Sequence, residues 1–408
     1  MLYLSIVIER HLQPVIARYA REYPVLAIVG PRQSGKTTLA RHLFPKHTYL
    51  SLENLDLRRQ AETDPRGFFD DHPGSLILDE VQRVPGLFSY LQEKTDLEGG
   101  ESRYVLTGSQ QFLLMAGITQ SLAGRIATFK LFPFTVAELK GYPPDKNPDE
   151  IFEVKTDRIQ AKPIANTAEM IWKGLYPRIY DKHLDAGKWL EEYIQTYVER
   201  DVRSLTNVGD LRSFEAFIKA CAANSGQLLN LTALSSAVGV SIPTAKRWVS
   251  ILETSGLLFL LPPYHRNFRK RLVKTPKLYF IDTGLLCRLL SIRTPEELRS
   301  YPLYGSIFET FVVSEMYKRI AHTGEPSSLF FYRDKTGAEV DLIADLGMGK
   351  VLPMEIKSTR TYSDDLSESV RKWVAASGKS KGVGLALYDG NQAVGIKGPI
   401  STVPWWSL

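Results

Sequence analysis

Five apolar residues, Val25 to Val29, run directly into Gly30-Pro31-Arg32-Gln33-Ser34-Gly35-Lys36-Thr37, and no other stretch constrains the fold as tightly. An unbroken apolar run of that length is expected of a strand buried on both faces, which is the situation in a parallel sheet covered by helices. The two glycines allow backbone amides to close around an anion, and Leu39 and Leu43, four apart, predict a helix leaving the loop. Strand, glycine-rich loop and helix together make a phosphate cradle at a helix N-terminus. The residues expected to line it are Gly30, Pro31, Arg32, Gln33, Ser34, Gly35, Lys36, Thr37 and Thr38. Lys36 is expected at the β and γ phosphates of a nucleotide, and the Thr37 hydroxyl at Mg²⁺.

Two further strand ends fit that chemistry. Ser75 to Leu78 leads into Asp79 and Glu80. Asp79 is expected to help hold Mg²⁺, and Glu80 to orient an attacking water, which favours hydrolysis over binding alone. Tyr104 to Leu106 ends in Thr107, Ser109 and Gln110, polar groups that would face a γ-phosphate if this strand lies between the other two. Arg125 precedes another apolar segment and is a candidate cation for a neighbouring subunit's nucleotide; a surface arginine is the competing reading. The expected class is α/β, with a doubly wound parallel sheet.

The stretches GPRQSGKTTLARHLF, ILDEVQRVPGL, LTGSQQFLLM and SLAGR resemble a bacterial and archaeal family of AAA-type ATPases with a C-terminal domain of undetermined function. GLYPR, YVERDV, KRLVKTPKLYFIDTGL, FETFVVSE and PMEIKS extend the resemblance over nearly the whole chain. It implies ATP and Mg²⁺ as cofactors, bound by Lys36 and Thr37. It also implies Asp79 and Glu80 as the second motif, Ser109 or Thr107 as a sensor of the γ-phosphate, and catalytic roles for Glu80, Lys36 and Ser109; the catalytic role of Arg125 is carried over from AAA ATPases in general.

With 408 residues the chain is expected to hold several domains. The boundaries read from it are an ATPase domain at 1–140, a helical linker or lid at 141–208, a winged helix-turn-helix at 209–265 and a nuclease-like domain at 266–408. The net charge of +6 permits an anionic partner. Two cysteines form neither a disulfide framework nor a metal-ligand spacing, and no stretch reads as a signal peptide or membrane span. A cytoplasmic protein without membrane contact is expected, with homo-oligomerisation left open.

Beyond the proline-rich stretch at 141–148, Leu190, Ile194 and Tyr197 predict an amphipathic helix. Thr232 and Ser241 are read as caps of two helices joined at Gly239, with Ala245, Trp248, Val249 and Leu252 on the buried side of the second. That leaves Lys246 and Arg247 outward. The run from Arg266 to Lys277 holds six cations and no acid, including Arg269, Lys270 and Arg271. Lys246, Arg247, Arg269, Lys270 and Arg271 are the candidate nucleic-acid contacts, with DNA preferred to RNA as partner. A solvated loop and a protein-docking module are the competing readings.

In VLPMEIKST, Leu352, Met354 and Ile356 face one way, and Pro353, Glu355 and Lys357 face the other, taken as outward. Asp341, followed fourteen residues later by Glu355-Ile356-Lys357, has the order of the PD-(D/E)xK nucleases, and Glu309 resembles an added helical acid. Glu309, Asp341 and Glu355 are candidate metal ligands, with Lys357 beside the attacking water. The expectation is therefore a Mg²⁺-dependent ATPase that engages nucleic acid through its C-terminal half, with metal-dependent cleavage a subordinate reading. The alternative is a nucleotide-gated protein-interaction switch with a silent nuclease-like domain.

Overall fold

The computed structural model describes residues 8–98, 100–109, 121–160, 166–197, 211–264, 274–376, 383–396 and 398–408. Gln110, Asp201, Arg203, Arg266, Arg269, Lys270 and Arg271 lie outside these residues.

The first sheet contains β1 (Val25–Val29), β2 (Thr48–Ser51), β3 (Leu76–Asp79), β4 (Tyr104–Gly108) and β5 (Ile126–Lys130). Their order is β2-β3-β4-β1-β5, and every pairing is parallel. Side chains alternate across a strand, and both faces of β1 are covered. Val25, Ala27 and Val29 enter one apolar cluster, and Leu26 and Ile28 enter another. That double burial is why the run is apolar throughout. Since β4 separates β1 from β3, the ends of all three strands stand side by side. Helix α1 (Lys36–Leu43) leaves the loop after β1.

The middle of the chain is helical. In α2 (Ala186–Tyr197), Leu190 and Tyr193 are buried, and the Tyr193 ring stacks on Trp189. Three helices then follow, α3 (Leu211–Ala223), α4 (Leu231–Val238) and α5 (Ile242–Thr254). Asn230, rather than Thr232, caps α4, its side-chain oxygen accepting from the Ala233 amide at 2.9 Å. Gly239 takes φ 71° between the helices, and Ser241 caps α5. Ala245, Trp248, Val249 and Leu252 are buried. A small antiparallel sheet, β6-β8-β7, accompanies these helices, with β6 at Gln227–Leu228, β7 at Leu258–Leu261 and β8 at Lys277–Phe280. The boundary expected at residue 266 falls inside this sheet, between two paired strands.

The last unit begins with α6 (Tyr304–His322) and then alternates into β9 (Leu329–Arg333), β10 (Glu339–Asp345), β11 (Val351–Lys357), α7 (Glu368–Ala376), β12 (Gly384–Tyr388) and β13 (Ile400–Pro404). The sheet order is β13-β12-β11-β10-β9. Strands β9, β10 and β11 pair antiparallel, whereas β11, β12 and β13 pair parallel. The face of β11 expected outward is covered at Pro353 and Glu355, while Lys357 at its end stays exposed as expected. Pro353 is buried and Glu355 is only 6% exposed. Amphipathic α7 packs over it, and Ser369 from that helix donates to Glu355 Oε2. Alternation along the strand was right, but a second layer sits on the polar face.

Candidate functional site

Gly30 adopts φ 149°, and a Cβ there would lie 2.1 Å from the Leu131 carbonyl oxygen, so only glycine fits. Gly35 caps α1 with φ 93°. Lys36 is buried and folds back over the loop, its Nζ donating to the carbonyls of Gly30 at 3.0 Å and Pro31 at 2.8 Å. An ammonium held there lies over the cradle that the loop amides form.

Three hydroxyls converge on Asp79. Thr37 Oγ1 donates to Oδ1 at 3.0 Å, Thr107 donates to the same oxygen, and Tyr49 donates to Oδ2 at 2.8 Å. Burial and then the Asp79 carboxylate push the Tyr49 hydroxyl up to about 12, so it stays a donor at neutral pH. The Thr37 hydroxyl and the Asp79 carboxylate stand side by side and are hard oxygen donors of the kind Mg²⁺ takes.

Glu80 follows with φ 56°, a left-handed conformation that is uncommon outside glycine. The turn takes its carboxylate away from Asp79 to Ser109 Oγ at 3.0 Å and to the Gln82 amide. Asp79 and Glu80 therefore serve different places although they are neighbours. Thr107, in central strand β4, and Ser109, just past its end, each hold one of them.

Arg125 is elsewhere. Strand β5 pairs in register with β1, Val25 opposite Ile126, so Arg125 lies at the amino end of the sheet. The phosphate loop begins at the carboxyl end, five residues and about 16 Å away. Arg125 makes an exposed bidentate pair with Asp96, at 2.6 and 2.9 Å. Within its own chain it is turned from the phosphate site, so any catalytic role belongs to a neighbouring subunit's nucleotide.

A buried polar cluster supports the loop from behind, and motif reading missed it. The Arg10 guanidinium donates to Ser34 O at 2.8 Å, Phe132 O at 2.7 Å and Glu138 Oε1 at 3.0 Å. Glu138 also accepts from the His11 and Thr135 amides, each at 2.8 Å. Burial raises the Glu138 carboxyl, but the Arg10 guanidinium, helped by the Thr135 amide, outweighs it and brings it down to about 2. His322 comes from α6, where burial lowers its ring to about 3 and keeps it neutral. The Phe132 amide donates to its Nε2 at 3.4 Å, which leaves the proton on Nδ1, 3.4 Å from Glu138 Oε1. One signal was legible: Thr135 and Glu138 form a reciprocal capping box.

Helix α6 adds further ties. Glu315 accepts from the Val136 amide at 2.8 Å, Lys318 donates to Phe134 O at 2.8 Å, and Arg319 binds Asp145 through two bonds of 2.8 and 2.9 Å. The phosphate loop and the C-terminal unit thus share one buried polar interface. The middle unit reaches the loop as well. Gly256, just past α5, abuts Pro31, where a Cβ would come within 2.9 Å, and Tyr193 OH lies 3.5 Å from Arg32 O. A cavity of about 350 Å³ opens beside Gln33, Gly35 and Thr38, with Ile8, Phe134 and Arg178 on its other walls.

On the C-terminal sheet, continuing the register from Leu342 opposite Met354 sets Asp341 opposite Glu355. A bulge between β9 and β10 falls at the same place. Asp341 Oδ2 accepts from the Ile356 amide at 2.8 Å. Burial and the Glu309 carboxylate push Asp341 up to about 7. The expected ligand set is nevertheless not assembled. Among the described residues no group of three or more His, Cys, Asp or Glu is placed to hold a metal ion. Glu309 Oε1 is taken by Lys277 at 3.0 Å and by Tyr279 OH at 2.6 Å. Glu355 is taken by Lys357 Nζ at 2.5 Å and by Ser369.

Lys246 and Arg247 are exposed on α5, as expected. Among the described residues no helix is long and apolar enough to cross a membrane.

Comparison with known proteins matches three segments of the chain. Residues 22–140 match the description of an AAA domain, 164–296 a domain of unknown function (DUF8612), and 304–408 another (DUF4143). The chain is 30% identical over 362 residues to the uncharacterized protein Rv2008c of Mycobacterium tuberculosis, covering 87% of this chain and 75% of that one. It is 23% identical over 315 residues to an uncharacterized protein of Haemophilus influenzae, covering 68% and 72%. Among solved structures, the Walker-type ATPase PABY2304 of Pyrococcus abyssi superimposes with a TM-score of 0.43 at 13% identity, over 70% of this chain and 96% of that one, too loose an overlap to bear on function. The chain thus belongs to the family of the uncharacterized mycobacterial protein Rv2008c, with an AAA domain at residues 22–140 ahead of two domains of unknown function.

Proposed function

We propose that this protein hydrolyses ATP with Mg²⁺ and uses the nucleotide state to reposition a nucleic-acid-engaging C-terminal half. The observation that carries the ATPase reading is the double hold at the strand ends, Thr37 and Thr107 on Asp79 and Ser109 on Glu80. Lys36 and the loop amides would bind the phosphates, and Thr37 with Asp79 would hold Mg²⁺, which offsets phosphate charge when bound. Glu80 would orient the attacking water, with Ser109 holding its carboxylate. The cavity of about 350 Å³ flanked by Ile8, Phe134 and Arg178 would take the base and ribose. The test is Glu80→Gln, which should retain ATP binding and lose turnover by at least about 100-fold. Unimpaired hydrolysis by that variant would remove Glu80 from this role.

Element order supports the nucleic-acid reading. Helix α3, β6, α4, α5, β7 and β8 follow one another as in a winged helix, and the cationic run lies between β7 and β8 in the sequence. The order α6, β9, β10, β11, α7, β12 suits a nuclease-type fold. With its carboxylates bound to other side chains, we read this domain as engaging nucleic acid without cutting it. A protein-interaction switch is the second reading, favoured by the buried contact between α6 and residues 132–145. Failure to bind DNA at low salt, with hydrolysis retained, would select it.

A further inference from the structure

Lys277 is the residue that the nuclease-type reading leaves unexplained. It opens β8, in the middle unit, yet its side chain reaches the carboxylates of the C-terminal unit. Its Nζ lies 3.0 Å from Glu309 Oε1 and 2.6 Å from Glu339 Oε1, and the side chain is only 4% exposed. Tyr279, two residues on and therefore on the same face of β8, donates to the same Glu309 oxygen at 2.6 Å. Arg333 meets Glu339 from the other side at 3.3 Å. A buried ammonium needs partners that offset its desolvation, and here they are carboxylates.

We infer that Lys277 is the resident cation of the C-terminal carboxylate cluster, standing where a nuclease-type site would hold a divalent metal. The charge arithmetic supports this. Glu309, Glu339 and Glu355 bring three carboxylates, and Lys277, Lys357 and Arg333 bring three cations directly to them, with Asp341 opposite Glu355. A divalent ion coordinated there would have to compete with an ammonium already in contact with two of the acids. Because Lys277 comes from β8 and the acids from α6 and β10, the same contact ties the middle unit to the C-terminal one. In a metal-dependent enzyme the lysine helps position water beside the ion, as Lys357 would. Lys277 instead engages the carboxylates from within.

The inference rests on the nuclease-type reading of this cluster for the identity of the displaced ion. Its test reads metal binding alone, separate from hydrolysis and from nucleic acid. Full-length, nucleotide-free protein is titrated with Mn²⁺, and free ion is followed by electron paramagnetic resonance. Asp79→Asn is used as the common background, to remove binding at the phosphate loop. The expected result is no Mn²⁺ bound in this background at millimolar concentration. Lys277→Gln should gain one site, and Lys277→Gln/Asp341→Asn should lose it again. One equivalent of Mn²⁺ bound by the background protein, and lost in Asp341→Asn, would overturn the inference, and this arm needs no change at Lys277. A folded Lys277→Gln protein that binds no Mn²⁺ would overturn it too. If Lys277→Gln fails to fold, Lys277→Gln/Glu309→Gln removes one charge of each sign. Recovery of folding then supports the ion-pair role, and continued failure refutes it.

Discussion

Replacing Arg10 by methionine should destabilise the protein strongly although Arg10 lies outside the phosphate loop. Methionine keeps most of the length and apolar volume but removes three hydrogen bonds, to Ser34 O, Phe132 O and Glu138. The damage centres on Glu138, which stays buried without its main counter-charge. Glu138 ionises at about 2 in the folded protein against an ordinary 4.5. Each pKa unit is worth about 1.4 kcal/mol, so the whole environment of Glu138 contributes about 3 kcal/mol at neutral pH. Breaking a buried ion pair by removing one partner costs about 3–5 kcal/mol, which agrees. For a domain of this size that lowers the melting temperature by on the order of 10 °C. The assay is thermal unfolding with and without ATP. Glu138→Gln in the Arg10→Met background should recover part of the loss, because the stranded charge is gone. A loss under about 1 kcal/mol, or single-variant losses that simply add, would refute the view that Arg10 and Glu138 act as one support.

Acid should loosen the same interface from His322. The unfolded ring takes a proton below its ordinary 6.5, whereas the folded ring resists protonation down to about 3. Stability is therefore full above 6.5 and falls as pH drops toward 3, and Glu138 adds its own loss from 4.5 toward 2. A His322→Gln protein should show a flatter profile between pH 6.5 and 4.5 in denaturant titrations. Lys246→Ala/Arg247→Ala should weaken DNA binding and reduce the slope of log affinity against log salt by about 2. An unchanged slope would remove α5 from the interface. Arg125→Ala should keep its fold and lose hydrolysis, then regain it when mixed with Glu80→Gln protein, since each supplies what the other lacks. Normal turnover by Arg125→Ala alone would show a surface arginine.

Local patterns determined much of this protein. The loop from Gly30 to Thr37, the buried strand before it, the acids at the end of β3 and the cap at Ser241 all follow from short-range rules. Backbone conformation, alternation and capping depend on near neighbours in the chain, so these features are legible without a fold. Asp341 opposite Glu355 was also within reach, since spacing and strand alternation imply it. What tertiary structure alone decided is which groups those residues touch. Arg10 and Glu138 are 128 residues apart, and Glu138 meets His322 only because α6 docks on residues 132–145. Lys277 reads as the tail of a solvated cationic run, yet β8 carries it into the acids of another unit. Glu355 and Lys357 alternate to one face as expected, but α7 covers Glu355 and leaves Lys357 exposed. A buried charge is tolerated only with its partners present, and long-range packing chooses those partners.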